Sequence, residues 1–270
     1  GRVTALCVVD VAEERSLSEG ATEARHRREM LEKLADMAPP EMLDIRTMVR
    51  VSHHVWQGIH EVAREEGTDI LLLAWKGYAS TPENYFGHTI DEIMANPPCN
   101  VAVFKAGEVP EQPRILVPVR GGPYAELALS VAKSLADALD GQVTVMHAVP
   151  QAQMLEAHSV GDRPFLDLIR RVSGEPRIRR VVTARGDPAR AILHEAPNHD
   201  LVILGASAAV PRHPSLGPVT ETIARSIERP IIVVKTKHEA GPFFVPPVVQ
   251  PLDISSLVDR WFAENTFHAR

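Results

Sequence analysis

Cysteine is scarce in this sequence. Cys7 lies inside an apolar strand pattern and Cys99 just before another, the only two among 270 residues, and no C-x-x-C spacing occurs. That excludes a zinc ribbon and a thiol redox pair, and leaves reduced core cysteines as the expected reading. A basic excess is also lacking: the net charge of -6 argues against a general nucleic-acid binder, whose phosphate contacts need a basic surface. The apolar runs, such as "DILLLAW" and "PIIVV", stop far short of the ~20 residues that span a bilayer. No secretory signal pattern stands at the start. The expected setting is the cytoplasm, with no direct membrane insertion.

What is there fits globular packing. A chain 44% hydrophobic and 24% charged is read as one large domain or two smaller ones with real cores. An internal repeat favours two. "GRVTALCVVD" (1–10) lies over "GQVTVMHAVP" (141–150), and "TDILLLAWKG" (68–77) over "HDLVILGASA" (199–208). "GHTIDEIMANPPCNVAVFK" (87–105) matches "GPVTETIARSIERPIIVVK" (217–235) without a gap. Two copies of one unit are the economical explanation.

The second copy reads as strand 114–119, a helix with Leu127, Val131 and Leu135 on one face, and Gly141 at the helix end. Strand 143–149, a helical stretch near 164–172, strand 178–183, helix 187–196, strand 201–205, helix 218–228 and strand 231–235 follow. The first copy supplies strand 3–9, helix 21–38 with Met30, Leu31, Leu34, Ala35 and Ala38 on its apolar face, strand 43–51, helix 54–66, strand 69–75, helix 88–96 and strand 100–105. Strands alternating with helices predict an α/β fold with mainly parallel sheets. The initial strand and helix of the unit have no counterpart in the first copy, so residues upstream of Gly1 are expected to belong to it. The domains are read as 1–107, a linker at 108–113, and 114–238, with 239–270 forming a Pro-rich linker and an amphipathic helix.

The run "RILVPVRGGPYAELALSVAKSLADALDGQVTVMHAV", followed by "DLVILGAS", Gly217 and "RPIIVVK", resembles the universal stress protein family in its tandem, two-copy form. The resemblance implies two Rossmann-like open parallel sheets of strand order 3-2-1-4-5, covered by helices on both faces and related by a pseudo-twofold. It also implies intramolecular pairing of the copies through their last strands, 100–105 and 231–235, and a crevice for ATP beyond strands 1 and 4.

The family fingerprint for that crevice is G-x2-G-x9-G-[S/T]. Its glycines let backbone approach phosphates, and its last pair opens a helix whose N–H groups and hydroxyl take anionic charge. The first copy reads Ala74, Gly77, Gly87 and His88; the second reads Gly205, Ala208, Gly217 and Pro218, one residue short. Pro218 has no N–H to offer, and Arg120 stands where ATP-binding members carry an acidic residue. Gly77, Gly87, His88, Arg120, Gly205 and Gly217 are therefore the candidate adenine-nucleotide contacts, while the preferred reading of the glycines is as turn and cap residues. Arg120 could attract another anion.

His53, His54 and His60 lack the i, i+4 spacing of a helical metal pair, so no metal is expected, and His54 aligns with Asp187 at a helix start. The arginines of "RPFLDLIRRVSGEPRIRRVVTAR" (163–185) are read as charges guarding an edge strand. No Ser-His-Asp, Cys-His, HExxH or P-loop pattern occurs, and no residue set reads as catalytic. In the tail, Ile254, Leu257, Val258, Trp261 and Phe262 fall on one helical face after four prolines from Pro242 to Pro251. Three functions follow as expectations. The first is a non-catalytic regulatory or stress-response module with a degenerate nucleotide site. "LLLAWKG" and "PPCNVAVFK" resemble modules appended to amino-acid permeases, implying a cytoplasmic transporter domain. "WFAENTFH" resembles the lead-in to glycosyltransferases of the glucosyl-3-phosphoglycerate synthase kind, implying an accessory domain.

Overall fold

Near-continuous apolar runs become strands covered on both faces, and the sheet is built around three of them. The computed structural model describes residues 2–36, 44–77, 85–105, 107–120, 123–149, 165, 168, 177–206 and 216–237. In chain order these form β1 (Arg2–Asp10), α1 (Ala21–Asp36), β2 (Asp44–Ser52), α2 (Val55–Glu65), β3 (Ile70–Trp75), α3 (His88–Ala95) and β4 (Asn100–Lys105). Then come β5 (Arg114–Val119), α4 (Pro123–Ala138), β6 (Gln142–Val149), β7 (Ile178–Arg185), α5 (Pro188–Glu195), β8 (Leu201–Gly205), α6 (Pro218–Ser226) and β9 (Ile231–Lys235). Of the helical stretch near 164–172 only Phe165 and Leu168 are described, both helical. The tail segment 239–270 lies outside the described residues, as does Ala208.

One sheet of seven strands runs β3-β4-β9-β8-β5-β6-β7, and β1 pairs with β2 in a separate parallel ribbon. Strands β3 and β4 of the first copy therefore continue the five-stranded sheet β9-β8-β5-β6-β7 of the second. The joint is the antiparallel pair β4–β9; the other ladders are parallel. Its register is symmetric. Val103 faces Val233, Val101 faces Lys235 and Lys105 faces Ile231. Because 101–105 aligns with 231–235, exchanging the copies maps this pairing onto itself, which is the mark of an isologous contact. Val103 and Val233 sit on that local axis.

The β5, β8 and β9 strands are buried on both faces, as expected of parallel strands under two helical layers. The face of α4 differs from the expected one. Ala125, Ala128, Leu129, Ala132 and Ala136 are the buried residues, while Leu127, Val131 and Leu135 flank them half-buried. Alanines let the helix axis come close to the sheet, and the larger side chains wedge at the margins. Leu31 is buried on α1 but Met30 is exposed.

Gly141 also serves a different purpose from a left-handed cap. The residue with positive φ is Asp140, at 51°. A Cβ on Gly141 would stand 2.6 Å from the Pro113 carbonyl oxygen, so close backbone approach requires the glycine. One short 3-10 turn, Leu17–Gly20, was not anticipated, although Ser16 and Glu19 form the capping box that announces it. No helix among the described residues is long and apolar enough to cross a membrane.

Candidate functional site

Strand order reverses at β5, which lies between β6 and β8, so the second copy has its crevice at the carboxyl ends of β5 and β8. Arg120 follows β5 there and is exposed. Gly205 closes β8. A Cβ at Gly205 would lie 2.9 Å from Tyr124 Cβ and 3.1 Å from the Tyr124 carbonyl oxygen, so the first turn of α4 already occupies its open side. The Thr220 hydroxyl donates to the Gly205 carbonyl at 3.1 Å and ties the start of α6 to the end of β8. Gly217 is the N-cap of α6 in an extended conformation, φ -82° and ψ 160°, with no side-chain cap, and Pro218 follows as the first helical residue. Arg120, Gly205 and Gly217 therefore gather at one edge.

His147, near the end of β6, joins this edge. It is buried, stacks on Phe165 with ring centroids 4.0 Å apart, and its Nδ1 lies 3.1 Å from the Val119 carbonyl oxygen. Since a carbonyl only accepts, Nδ1 carries the hydrogen. The sequence signal for it was a single imidazole inside the apolar run "VTVMHAV".

In the first copy the candidates sit beyond β3. Because β4 and β9 are antiparallel, the carboxyl end of β3 lies at the opposite rim of the sheet from that of β8. Ala74 is exposed, and Gly77 has φ 88° with Lys105 methylenes 3.1 Å from where a Cβ would be. Gly87 caps α3 at φ 102°, a conformation that favours glycine. His88 opens the helix, exposed, with Nδ1 3.9 Å from a Glu92 carboxylate oxygen. Residues 78–84 of this loop lie outside the described residues.

The sequence reading missed two features of this rim. Asp91 folds back over the N-terminus of its own helix, and both carboxylate oxygens accept from the Phe86 N–H at 3.2 Å. Burial pushes the Asp91 carboxyl up, while the N–H groups of Phe86 and Gly87 pull it down. A negative group of the protein itself thus stands at the helix end that would otherwise receive an anion.

The second is an aromatic clasp. Trp75, Tyr85 and Phe86, all buried, pack with centroids 5.0 to 5.5 Å apart at the two ends of the glycine loop. From the other copy, the Arg225 guanidinium lies 5.1 Å over the Tyr85 ring, and the Tyr85 hydroxyl donates to the Glu221 carbonyl at 3.4 Å. Burial, the largest influence, raises the Tyr85 phenol. The Lys105 ammonium donates to the Ile227 carbonyl beside them. The dipeptide Tyr85-Phe86 in a polar loop was the available signal.

The three histidines go to separate partners. His53 Nδ1 meets the Val11 carbonyl at 3.0 Å, His60 Nε2 meets the Asn96 carbonyl at 3.0 Å, and His54 Nε2 lies 2.9 Å from Glu13. At the helix start Asp187 accepts from the Arg190 N–H at 2.8 Å, whereas His54 occupies the matching N-cap without a capping bond.

The same α/β unit used twice, joined through its last strands, is the arrangement that decides the relationship. The family model described as "Universal stress protein family" matches residues 1–105 and again 113–235. This chain belongs to the universal stress protein family. Among solved structures it is similar to a universal stress protein from Archaeoglobus fulgidus, at 19% identity and TM-score 0.62 over 87% of this chain and 86% of that one. A putative universal stress protein from Pseudomonas aeruginosa is similar at 16% identity and TM-score 0.59, over 87% and 83%. The cytoplasmic domain of a prokaryotic cation chloride cotransporter is similar at 16% identity and TM-score 0.53, over 89% and 87%. At such identities the likeness is one of fold. No curated protein matches the chain.

Proposed function

We propose that this tandem universal stress protein is a non-catalytic regulatory or stress-response module whose two adenine-nucleotide sites are degenerate. The Asp91 carboxylate carries this reading. A phosphate at α3 would meet the Asp91 carboxyl already holding the Phe86 N–H, where the family fingerprint needs free donors at the helix start. In the second copy Pro218 takes away one N–H, Arg120 replaces an acidic contact, and Tyr124 leaves no space beside Gly205. Each lost hydrogen bond to a charged phosphate is worth about 1.5–3 kcal/mol, so the N–H and the fingerprint hydroxyl that Pro218 removes together weaken binding roughly a hundredfold or more.

Calorimetric titration with magnesium-ATP tests the reading. The expected affinity is high micromolar or weaker. Low-micromolar binding that Gly217→Val abolishes would overturn it. A second reading, a regulatory domain of a transporter, draws support from the likeness to the cotransporter's cytoplasmic domain, which extends over both copies.

A further inference from the structure

The repeat places the same carboxylate twice. With 87–105 aligned on 217–235, Asp91 of α3 and Glu221 of α6 are equivalent, each the fourth residue after an N-cap glycine. Their side chains take different directions. Asp91 turns back over its own helix start and accepts the Phe86 N–H on both oxygens at 3.2 Å. Glu221 turns forward along its helix, where its Oε1 accepts from Arg225 Nε at 3.2 Å and Nη2 at 2.9 Å. The residue equivalent to Arg225 is Ala95, which offers Asp91 no such partner. One molecule thus displays both settings of a carboxylate at this helix position.

What holds the second setting comes from the other copy. The guanidinium that engages Glu221 lies 5.1 Å over the Tyr85 ring, and the Tyr85 hydroxyl donates to the Glu221 carbonyl at 3.4 Å. Tyr85 is itself buried against Trp75 and Phe86, with ring centroids 5.5 and 5.0 Å away. Asp91 in turn grips the main chain of Phe86. A continuous set of contacts therefore runs from Asp91 through Phe86, Tyr85 and Arg225 to Glu221. It breaks the local twofold, because Trp75, Tyr85 and Phe86 correspond in sequence to Ala206, Ser215 and Leu216. The sequence provides no second clasp.

We propose that the clasp is a conformational coupler between the copies, which sets how the helix start of the second crevice is capped. With Arg225 pinned on Tyr85, Glu221 stays off the Leu216 and Gly217 N–H groups. When Tyr85 withdraws, Glu221 swings back and caps them as Asp91 caps its own. The exchange is between nearly balanced interactions: an i, i+4 ion pair, worth little by itself, against a carboxylate at the positive end of a helix. Near balance is what lets one cation–π contact decide. A displacement of the Tyr85-Phe86 turn in the first copy thereby closes the helix start in the second. Such coupling concerns the chain's own capping, and holds whether or not either crevice takes a nucleotide.

The test reads amide hydrogen exchange residue by residue, by NMR, in the full chain. Arg225→Met and Tyr85→Leu are each expected to slow the Leu216 amide by roughly threefold or more, and Glu221→Ala added to either removes that slowing. Tyr85→Phe, which keeps the ring, leaves the parent rate. Arg225 is half exposed, so Arg225→Met spares the core, and unchanged protection of β5 and β9 reports that each variant folds. In Arg225→Met the Phe86 amide should also exchange faster, since coupling is reciprocal. That readout stands even if Tyr85→Leu does not fold. A Leu216 rate that neither variant changes overturns the proposal. So does slowing that survives Glu221→Ala, or slowing by Arg225→Met with Phe86 unmoved, since the ion pair would then be a feature of α6 alone.

Discussion

Asp200 is a residue whose surroundings make stability depend on pH. Its carboxylate receives the Arg114 main-chain N–H at 2.9 Å and the guanidinium through Nε at 3.1 Å and Nη2 at 3.0 Å, which ties the first residue of β5 to the start of β8. The hydrogen bonds from Arg114 hold the Asp200 carboxyl below its ordinary value of 3.8. A depressed acid binds fewer protons folded than unfolded. Its stabilisation is therefore present above 3.8 and is lost as the pH falls through the folded value. Arg114 is largely exposed, so screening keeps the effect modest. Asp200→Asn is expected to lower stability by about 1 kcal/mol at neutral pH. Urea unfolding across a pH series should show that deficit shrink as the pH drops below 3.8. A deficit that stays constant would mean the charge is not the cause.

At the scale of the element, the same apolar run has two fates. β3 and β8 read alike, and α4 decides which of them is interior. Leu72→Ala should cost less than about 0.5 kcal/mol, as surface substitutions do. Ile203→Ala, which opens a cavity beneath α4, should cost about 2–5 kcal/mol. Equal costs in chemical denaturation would show that something already covers β3. The glycine of a fingerprint is subject to the same contextual choice, since Gly205 is held by the approach of Tyr124 rather than by any feature of the strand itself.

For the whole molecule the decisive contact is the β4–β9 joint. It joins β3 and β4 of the first copy to the five strands of the second, sets their rims at opposite ends, and brings Arg225 of one copy onto Tyr85 of the other. A charge on the local axis would be buried without a partner. Val103→Asp is expected to cost at least about 3 kcal/mol, and to replace a single thermal transition by two in calorimetry as the copies uncouple. A single transition with an unchanged midpoint would count against the joint as the source of cooperativity.

Local pattern was enough for much of this. The repeat, the alternation of strands and helices, the bounds of β4, β5 and β9 and the positions of the glycines are all legible in the sequence. Each depends on periodicity within a few residues or on a copy further along. The equivalence of β4 and β9 follows from two matching runs, "NVAVFK" and "PIIVVK", but their antiparallel register is seen only in the structure. What remained hidden depends on distant neighbours. Asp91 looked like an ordinary helical acid until the turn before it brought the Phe86 N–H onto its carboxylate. The alanines of α4 are buried more deeply than Leu127 and Leu135 because only the sheet's proximity rewards small side chains. Leu72 and Ile203 differ because burial belongs to what packs above a strand, and no residue within the strand encodes that.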